Sequence, residues 1–189
     1  MKTERKKEII HTAARLFKEK GYNAVSMRDL AESLGIKASS LYNHIASKQE
    51  ILGYIILDVA ENFTEHITRV FPQEISTTKK LEAIVENHIE ITLKKTDFLA
   101  CMNNDWMHLD KANKQQYLTL RNAYEFKVRE ILGEGMKQNE LKSTDLEITL
   151  FSLLSTLRTL YLWYSKNNNF NEEKIKQDLR QILLSGVIK

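Results

Sequence analysis

One proline and one cysteine stand in the 189 residues, and glycine occurs only six times. Gly and Pro together are under 4 % of the chain, against about 12 % in average usage, so the residues that hairpins and sheet turns need are scarce. Long helices joined by short connections are the architecture left open. The lone Cys101 excludes a disulfide framework and a Cys-based zinc site, and fits a reducing compartment. Long hydrophobic runs are also missing. The longest, Ile51 to Leu57, falls far short of the roughly 18 to 20 residues that cross a bilayer, so no membrane span is expected. The N-terminal MKTERKKEII alternates charged and apolar residues and lacks the apolar block of a signal peptide, so the expected location is cytoplasmic. No Gly-rich phosphate loop, nucleophile elbow or paired-carboxylate arrangement is present, and neither enzymatic activity nor a cofactor is expected.

What is present is charge, unevenly placed. The chain carries 28 basic and 25 acidic side chains, a net of +3. Residues 1 to 50 hold ten Lys/Arg against six acids, whereas the remaining 139 balance at −1. A basic front ahead of a neutral remainder is an electrostatic footprint suited to phosphates.

The front reads as short helices. From Thr3 to Lys20, Ile9, Ala13, Leu16 and Phe17 form an amphipathic stripe that Gly21 stops. Ser26 and Asp29 have the spacing of a capping box and open a two-turn helix that buries Leu30, Ala31 and Leu34 before Gly35. After a tight turn, Ala38 to Ile45 can form a further two-turn helix on Leu41 and Ile45. Ser47 and Glu50 repeat the capping spacing, and the helix they open runs to about Phe71, where Pro72 ends it. Longer helices follow, at about Thr77 to Lys95, Asp97 to Leu109, Lys111 to Asn139, Thr144 to Ser165 (capped in the Thr144 to Glu147 spacing) and Glu172 to Val187. Breaks fall at Thr96, Asp110, Lys137 to Ser143 and the Asn-rich stretch at 167 to 171. The pattern predicts an all-α protein with a helix-turn-helix domain over 1–47 and a helical bundle over 48–189. The Thr144 to Ser165 helix is apolar nearly all round, which demands either the bundle centre or a second subunit.

Two short helices about a Gly-containing turn, braced by a third, form the arrangement whose second helix enters the DNA major groove. Three ordinary core helices are the alternative that spacing leaves open. The residues speak further. Ala13, Phe17 and Gly21-Tyr22, then Ser26 to Ala31, Leu34-Gly35-Ile36, Leu41 to Ile45 and Ser47 to Leu52 closely resemble the DNA-binding domain of the tetracycline-repressor (TetR) family. The resemblance covers Lys7 to Leu52. It departs at Lys37, where the family usually has a Ser or Thr cap, at Ile45, where Phe is usual, and at Ala46, where Pro or a polar residue is common. It implies that Tyr42, His44 and Lys48, with Ser26 and Arg28, hold phosphates of a double-stranded DNA operator. Lys37, Ala38, Ser39, Ser40 and Asn43 are then the base-reading candidates, Asn43 toward adenine and Lys37 toward guanine. The alternatives are a half-buried core aromatic at Tyr42, a solvated tip at His44 and plain helix-start residues at Ser39 and Ser40.

The resemblance also implies a homodimer built on the last two helices, and a small-molecule effector in the bundle. Trp106, Tyr117, Arg121, Tyr124, Arg158 and Trp163 lie on helices the family uses for its pocket. The stretch Tyr117 to Tyr164 resembles, more loosely, regulators that answer acyl-CoA thioesters, which implies a hydrophobic effector with its anionic end at Arg121 or Arg158. Arg158 interrupts an apolar helix and needs an acidic partner, an anionic ligand or an exit to water. His66, His88, Asp105 and His108 are too scattered to indicate a metal site, and Cys101 reads as a small core residue. The expected function is a repressor released from a palindromic operator by its effector. The rivals are a ligand-independent or architectural DNA-binding protein and, in another class, a helical ligand carrier or enzyme.

Overall fold

The structure, a computed structural model, describes residues 2–167 and 171–189. Among these it contains nine α-helices and no strand. They are α1 (Lys2–Lys20), α2 (Met27–Ser33), α3 (Ala38–Tyr42), α4 (Lys48–Val70), α5 (Thr77–Lys94), α6 (Thr96–Asp105), α7 (Lys111–Lys137), α8 (Leu146–Tyr164) and α9 (Glu172–Ser185), with a 3-10 turn at Trp106–His108. No helix is long and apolar enough to cross a membrane among the described residues. The chain divides into two compact units, one running through Ala60 and including Asp97–Leu118, the other comprising Glu61–Thr96 and Thr119–Lys189.

In the first unit, α1 buries Ile9, Ile10, Ala13, Ala14, Leu16 and Phe17. It ends where Gly21 takes φ +84, a conformation open to glycine at no steric cost. At the start of α2 the Ser26 hydroxyl accepts from the Asp29 N–H while the Asp29 carboxylate accepts from the Ser26 N–H, at 3.2 and 2.7 Å. These hydrogen bonds from Ser26 hold the Asp29 carboxyl below its ordinary pKa. Gly35, at φ +63, turns the chain into α3.

Helix α3 is shorter than the periodicity predicts, ending at Tyr42 and not at Ile45. The reason lies in the next cap. Glu50 reaches back to accept from the Ala46 N–H at 2.7 Å, and Ser47 accepts from the Glu50 N–H, so the chain at 46 is already committed to α4. The other Glu50 oxygen takes the Lys6 ammonium at 2.8 Å, which holds this carboxyl low and ties α1 to the start of α4.

In the second unit, α5 packs against α8 and α9. Helix α8 begins later than expected because its cap is Asp145, whose carboxylate accepts from the Ile148 N–H. The Thr144 hydroxyl instead meets that of Thr149 at 2.8 Å. The helix expected over Asp97 to Leu109 is α6 followed by the 3-10 turn, and α7 and α9 each stop two residues early. The Asn171 side chain caps α9, while positions 168–170 of the expected Asn-rich break lie outside the described residues.

At Gly135 a Cβ atom would lie 2.4 Å from Thr77 Cγ2 and 2.8 Å from the Leu141 side chain. Gly135→Ala is therefore expected to destabilise the protein by about 1 to 3 kcal/mol, despite alanine's better helix propensity. Urea unfolding of the variant checks this, and equal or greater stability contradicts the close packing.

Candidate nucleic-acid interface and effector site

Leu41 and Ile45 are fully buried under α3, which turns the opposite side of that helix outward. Lys37, Ser39, Tyr42 and Asn43 are exposed there, with Arg28 exposed on α2. Tyr42 is 54 % exposed, so it is not a core aromatic. Ala38, Ser40 and His44 are half-buried at the edges of this face. Lys37 starts α3 in an extended conformation without a side-chain capping bond, leaving its ammonium outside the helix's own hydrogen bonding. The Ser26 hydroxyl is exposed but donates to Asp29 at 2.7 Å as part of its cap.

Lys48 is placed differently from the rest. Its half-buried ammonium donates to the backbone carbonyls of Tyr22 and Val25 at 2.9 and 2.8 Å and lies 4.2 Å from the centre of the Tyr22 ring. Two of its three N–H bonds thus brace the α1–α2 turn against α4, leaving one for any phosphate. His108 stacks on the same Tyr22 ring at 5.6 Å. The Gln49 amide donates to the His108 carbonyl at 2.7 Å and accepts from the Asp110 N–H at 3.2 Å. Asp105 is buried beside this turn, and burial raises its carboxyl, with the Tyr22 backbone N–H acting in the opposite direction. The segment after α6 is in this way fastened to the turn that positions α2.

The six effector candidates are divided between the two units. Trp106 and Tyr117 lie in the unit that contains the helix-turn-helix, their rings 5.6 Å apart, with the Lys114 ammonium 5.4 Å from the Trp106 ring. The other four lie in the second unit. Arg158 donates to Glu125, so it has the acidic partner that its position in an apolar helix demands, and Arg121 lies 4.0 Å from the same carboxylate. Trp163 is 42 % exposed and lines an open groove of about 390 Å³ with Ile175, Leu179 and Ile182.

Tyr124 is buried, and its hydroxyl lies 2.9 Å from His88 Nε2. The ring of Phe63 of α4 lies 4.3 Å from the imidazole, tilted by 32°. Burial, aided by the Arg158 guanidinium and by His66, depresses the His88 pKa to about 3, so the ring is neutral. Burial likewise pushes the Tyr124 hydroxyl up. His88 was missed as an effector candidate. It falls on the apolar stripe Leu81, Val85, His88, Thr92 of α5, and a titratable residue inside such a stripe is the signal that could have found it. No group of three His, Cys, Asp or Glu residues that could hold a metal occurs among the described residues. Cys101 is buried with its thiol directed at the Ala14 carbonyl, and burial raises its pKa, which removes the thiolate that reactivity requires.

Residues 9–55 match the model of bacterial regulatory proteins of the tetR family, and residues 74–187 match the tetracyclin repressor-like C-terminal domain. The chain is 25 % identical over 189 residues to the HTH-type transcriptional repressor KstR2 of Rhodococcus jostii (strain RHA1), covering 98 % of this chain and 92 % of that protein. The solved structure of the ketosteroid transcriptional regulator KstR2 of Mycobacterium tuberculosis superposes with a TM-score of 0.91 at 19 % identity, over 98 % of this chain and 95 % of that one. The structure of AibR in complex with isovaleryl coenzyme A and operator DNA superposes with a TM-score of 0.79 at 21 % identity, over 94 % of this chain and 97 % of that one. The two family models between them take in both the helix-turn-helix and the helices that follow it. The chain belongs to the tetR family of bacterial regulatory proteins, whose members are DNA-binding transcriptional regulators.

Proposed function

We infer that this regulator is a homodimeric repressor that binds a palindromic operator and leaves it when a small, largely hydrophobic effector occupies the second unit. The observation that carries the reading is the outward face of α3, where Lys37, Ser39, Tyr42 and Asn43 stand exposed above a fully buried Leu41. Asn43 and Lys37 have the hydrogen-bonding pattern for base edges, and Tyr42, His44 and Arg28 suit phosphates. The sign of regulation is supported by the repressor KstR2 of Rhodococcus jostii, and the acyl-CoA class of effector by AibR, which was captured with isovaleryl coenzyme A and operator DNA.

Dimerisation is supported by the surface of α8 and α9. Ile148, Phe151, Leu162, Trp163 and Ile182 are all exposed, and the uncharged hydroxyl residues Ser152, Thr156 and Thr159 lie among them. So much exposed apolar surface suits a second copy. In a dimer, two recognition helices would read half-sites about 34 to 36 Å apart. Release requires the effector to favour the arrangement in which that spacing is lost, since equal affinity for both arrangements shifts nothing. Helix α4, continuous from Lys48 to Val70, is the lever in this scheme.

The test is affinity selection of sheared genomic DNA at near-physiological salt, followed by sequencing of what is retained. A sharp palindrome is expected. Tyr42→Ala should weaken binding to all DNA by about tenfold, the loss of one good contact, while Asn43→Ala should mainly relax sequence preference. Enrichment without a motif, or an Asn43→Ala protein with an unchanged preferred site, overturns the reading.

A further inference from the structure

Within the second unit, α5 and the part of α7 after Leu118 bring together polar groups that leave hydrogen-bonding capacity unused inside an apolar core. His88 is 4 % exposed and Tyr124 7 %, and Phe63 covers the imidazole. A neutral imidazole carries one N–H and a phenol one O–H. Their mutual bond consumes one of these two protons, whichever group donates. Among the described residues neither side chain makes another hydrogen bond, so one proton and at least one lone pair are left over. Thr92 lies one helical turn beyond His88 on the same side of α5. It is 1 % exposed, and its buried hydroxyl has no hydrogen-bond partner. Buried polar groups in folded proteins are almost always satisfied, and a fully buried hydroxyl that is not, as at Thr92 beside the His88–Tyr124 pair, calls for a missing partner.

We propose that His88, Tyr124 and Thr92 form a recognition subsite for a neutral oxygen function, a carbonyl or hydroxyl, on an otherwise apolar effector. The proposal rests on the effector-binding reading above and deepens it: the ligand is an oxygenated hydrocarbon body, and a plain saturated chain is discriminated against. A carbonyl oxygen accepts the spare proton of the His88–Tyr124 pair and the Thr92 O–H together. A carboxylate is disfavoured, because among the described residues no cation is in hydrogen-bonding contact with the pair and the Arg158 guanidinium, which acts on both groups through space, is already engaged by Glu125. A hydrocarbon leaves all three groups unsatisfied, and a site built to hydrogen-bond discriminates strongly against the analogue that lacks the group.

The test uses the full-length protein and two matched pairs of probes, 2-decalone with decalin and 6-undecanone with undecane. Binding is read from the melting temperature and from the imidazole nitrogen signals of His88 in the 15N-labelled protein. The ketone of at least one pair is expected to bind about tenfold more tightly than its hydrocarbon and to move the His88 signals, as one or two net hydrogen bonds allow. Tyr124→Phe and Thr92→Val should each reduce that ratio by about threefold to tenfold. Thr92→Val should also melt no lower than the parent, because the hydroxyl it removes has no partner. Equal binding within both pairs overturns the polar subsite but leaves the effector reading intact. Binding of none of the four probes overturns both. A Tyr124→Phe protein that melts lower with its ketone-to-hydrocarbon ratio unchanged assigns the pair a purely structural role and also overturns the proposal.

Discussion

Replacing Phe17 by alanine is expected to destabilise the protein by about 3 to 5 kcal/mol, the cost of emptying a large, fully buried aromatic site. Phe17 is 1 % exposed and sits at the C-terminal end of the α1 stripe, with its ring edge against Tyr22 at 5.1 Å. Tyr22 is the hub of the α1–α2 turn. Its carbonyl accepts from Lys48, its ring lies beneath that ammonium, and His108 stacks on it. A cavity at position 17 therefore loosens the contacts that hold α2, and with it α3, against α4. Operator binding should fall with stability even though the side chain is entirely interior. Since whole-protein stabilities are on the order of 5 to 15 kcal/mol, a loss of this size is a large fraction of the total. Phe17→Leu, which refills much of the volume, should restore more than half of it. Urea unfolding beside an operator titration checks both. A Phe17→Ala loss below about 1 kcal/mol would mean that the site collapses around the gap and that Tyr22 does not depend on it.

The same region shows why some of this architecture could be read from the chain and some could not. Gly21, Gly35, Pro72 and the pairs Ser26–Asp29 and Ser47–Glu50 act on backbone within four residues, and each marks an observed helix boundary. Where two such signals compete, local reading fails. Asp145 outcompetes Thr144 for the cap of α8, and the Glu50–Ala46 bond shortens α3. The exposed face of α3 was legible because one buried residue, Leu41, fixes which way the others point. The bracing role of Lys48 was not, because its partners are carbonyls 26 and 23 residues away that carry no side-chain signature. Of the effector candidates chosen by type, as large aromatics and arginines, Arg158 is in an ion pair, Trp163 lines an open groove and Tyr124 lies in the core. Tyr124 alone led to the buried polar pair, and its partner His88 was concealed within a stripe that reads as apolar.

Lowering the pH from 8 to 5 is expected to destabilise the protein through His88 by about 2 kcal/mol. In the folded chain the imidazole pKa is depressed to about 3, first by burial, then by the Arg158 guanidinium and by His66. In the unfolded chain it returns to about 6.5. A folded-state pKa below the unfolded one means that the unfolded state takes up the proton first. The contribution is therefore fully present above about pH 6.5 and is lost progressively as the pH falls toward 3, at a limiting slope of one proton, or about 1.4 kcal/mol per pH unit. His66, also depressed by burial, adds to the loss with the same sign. The carboxylates held low by hydrogen bonds, Asp29 and Glu50, contribute stability that is lost only in the acidic range of their own titration, below the window of the histidines. Unfolding free energies at pH 8, 7, 6 and 5 stay above the carboxylate window and so report the histidines. In His88→Phe, where a neutral ring of similar shape stays against Phe63, most of the decline between pH 7 and 5 should disappear, leaving the smaller part due to His66. A parent protein equally stable at pH 8 and 5 would show that His88 is protonated in place, and hence that the core around Tyr124 admits a charge and the water to solvate it.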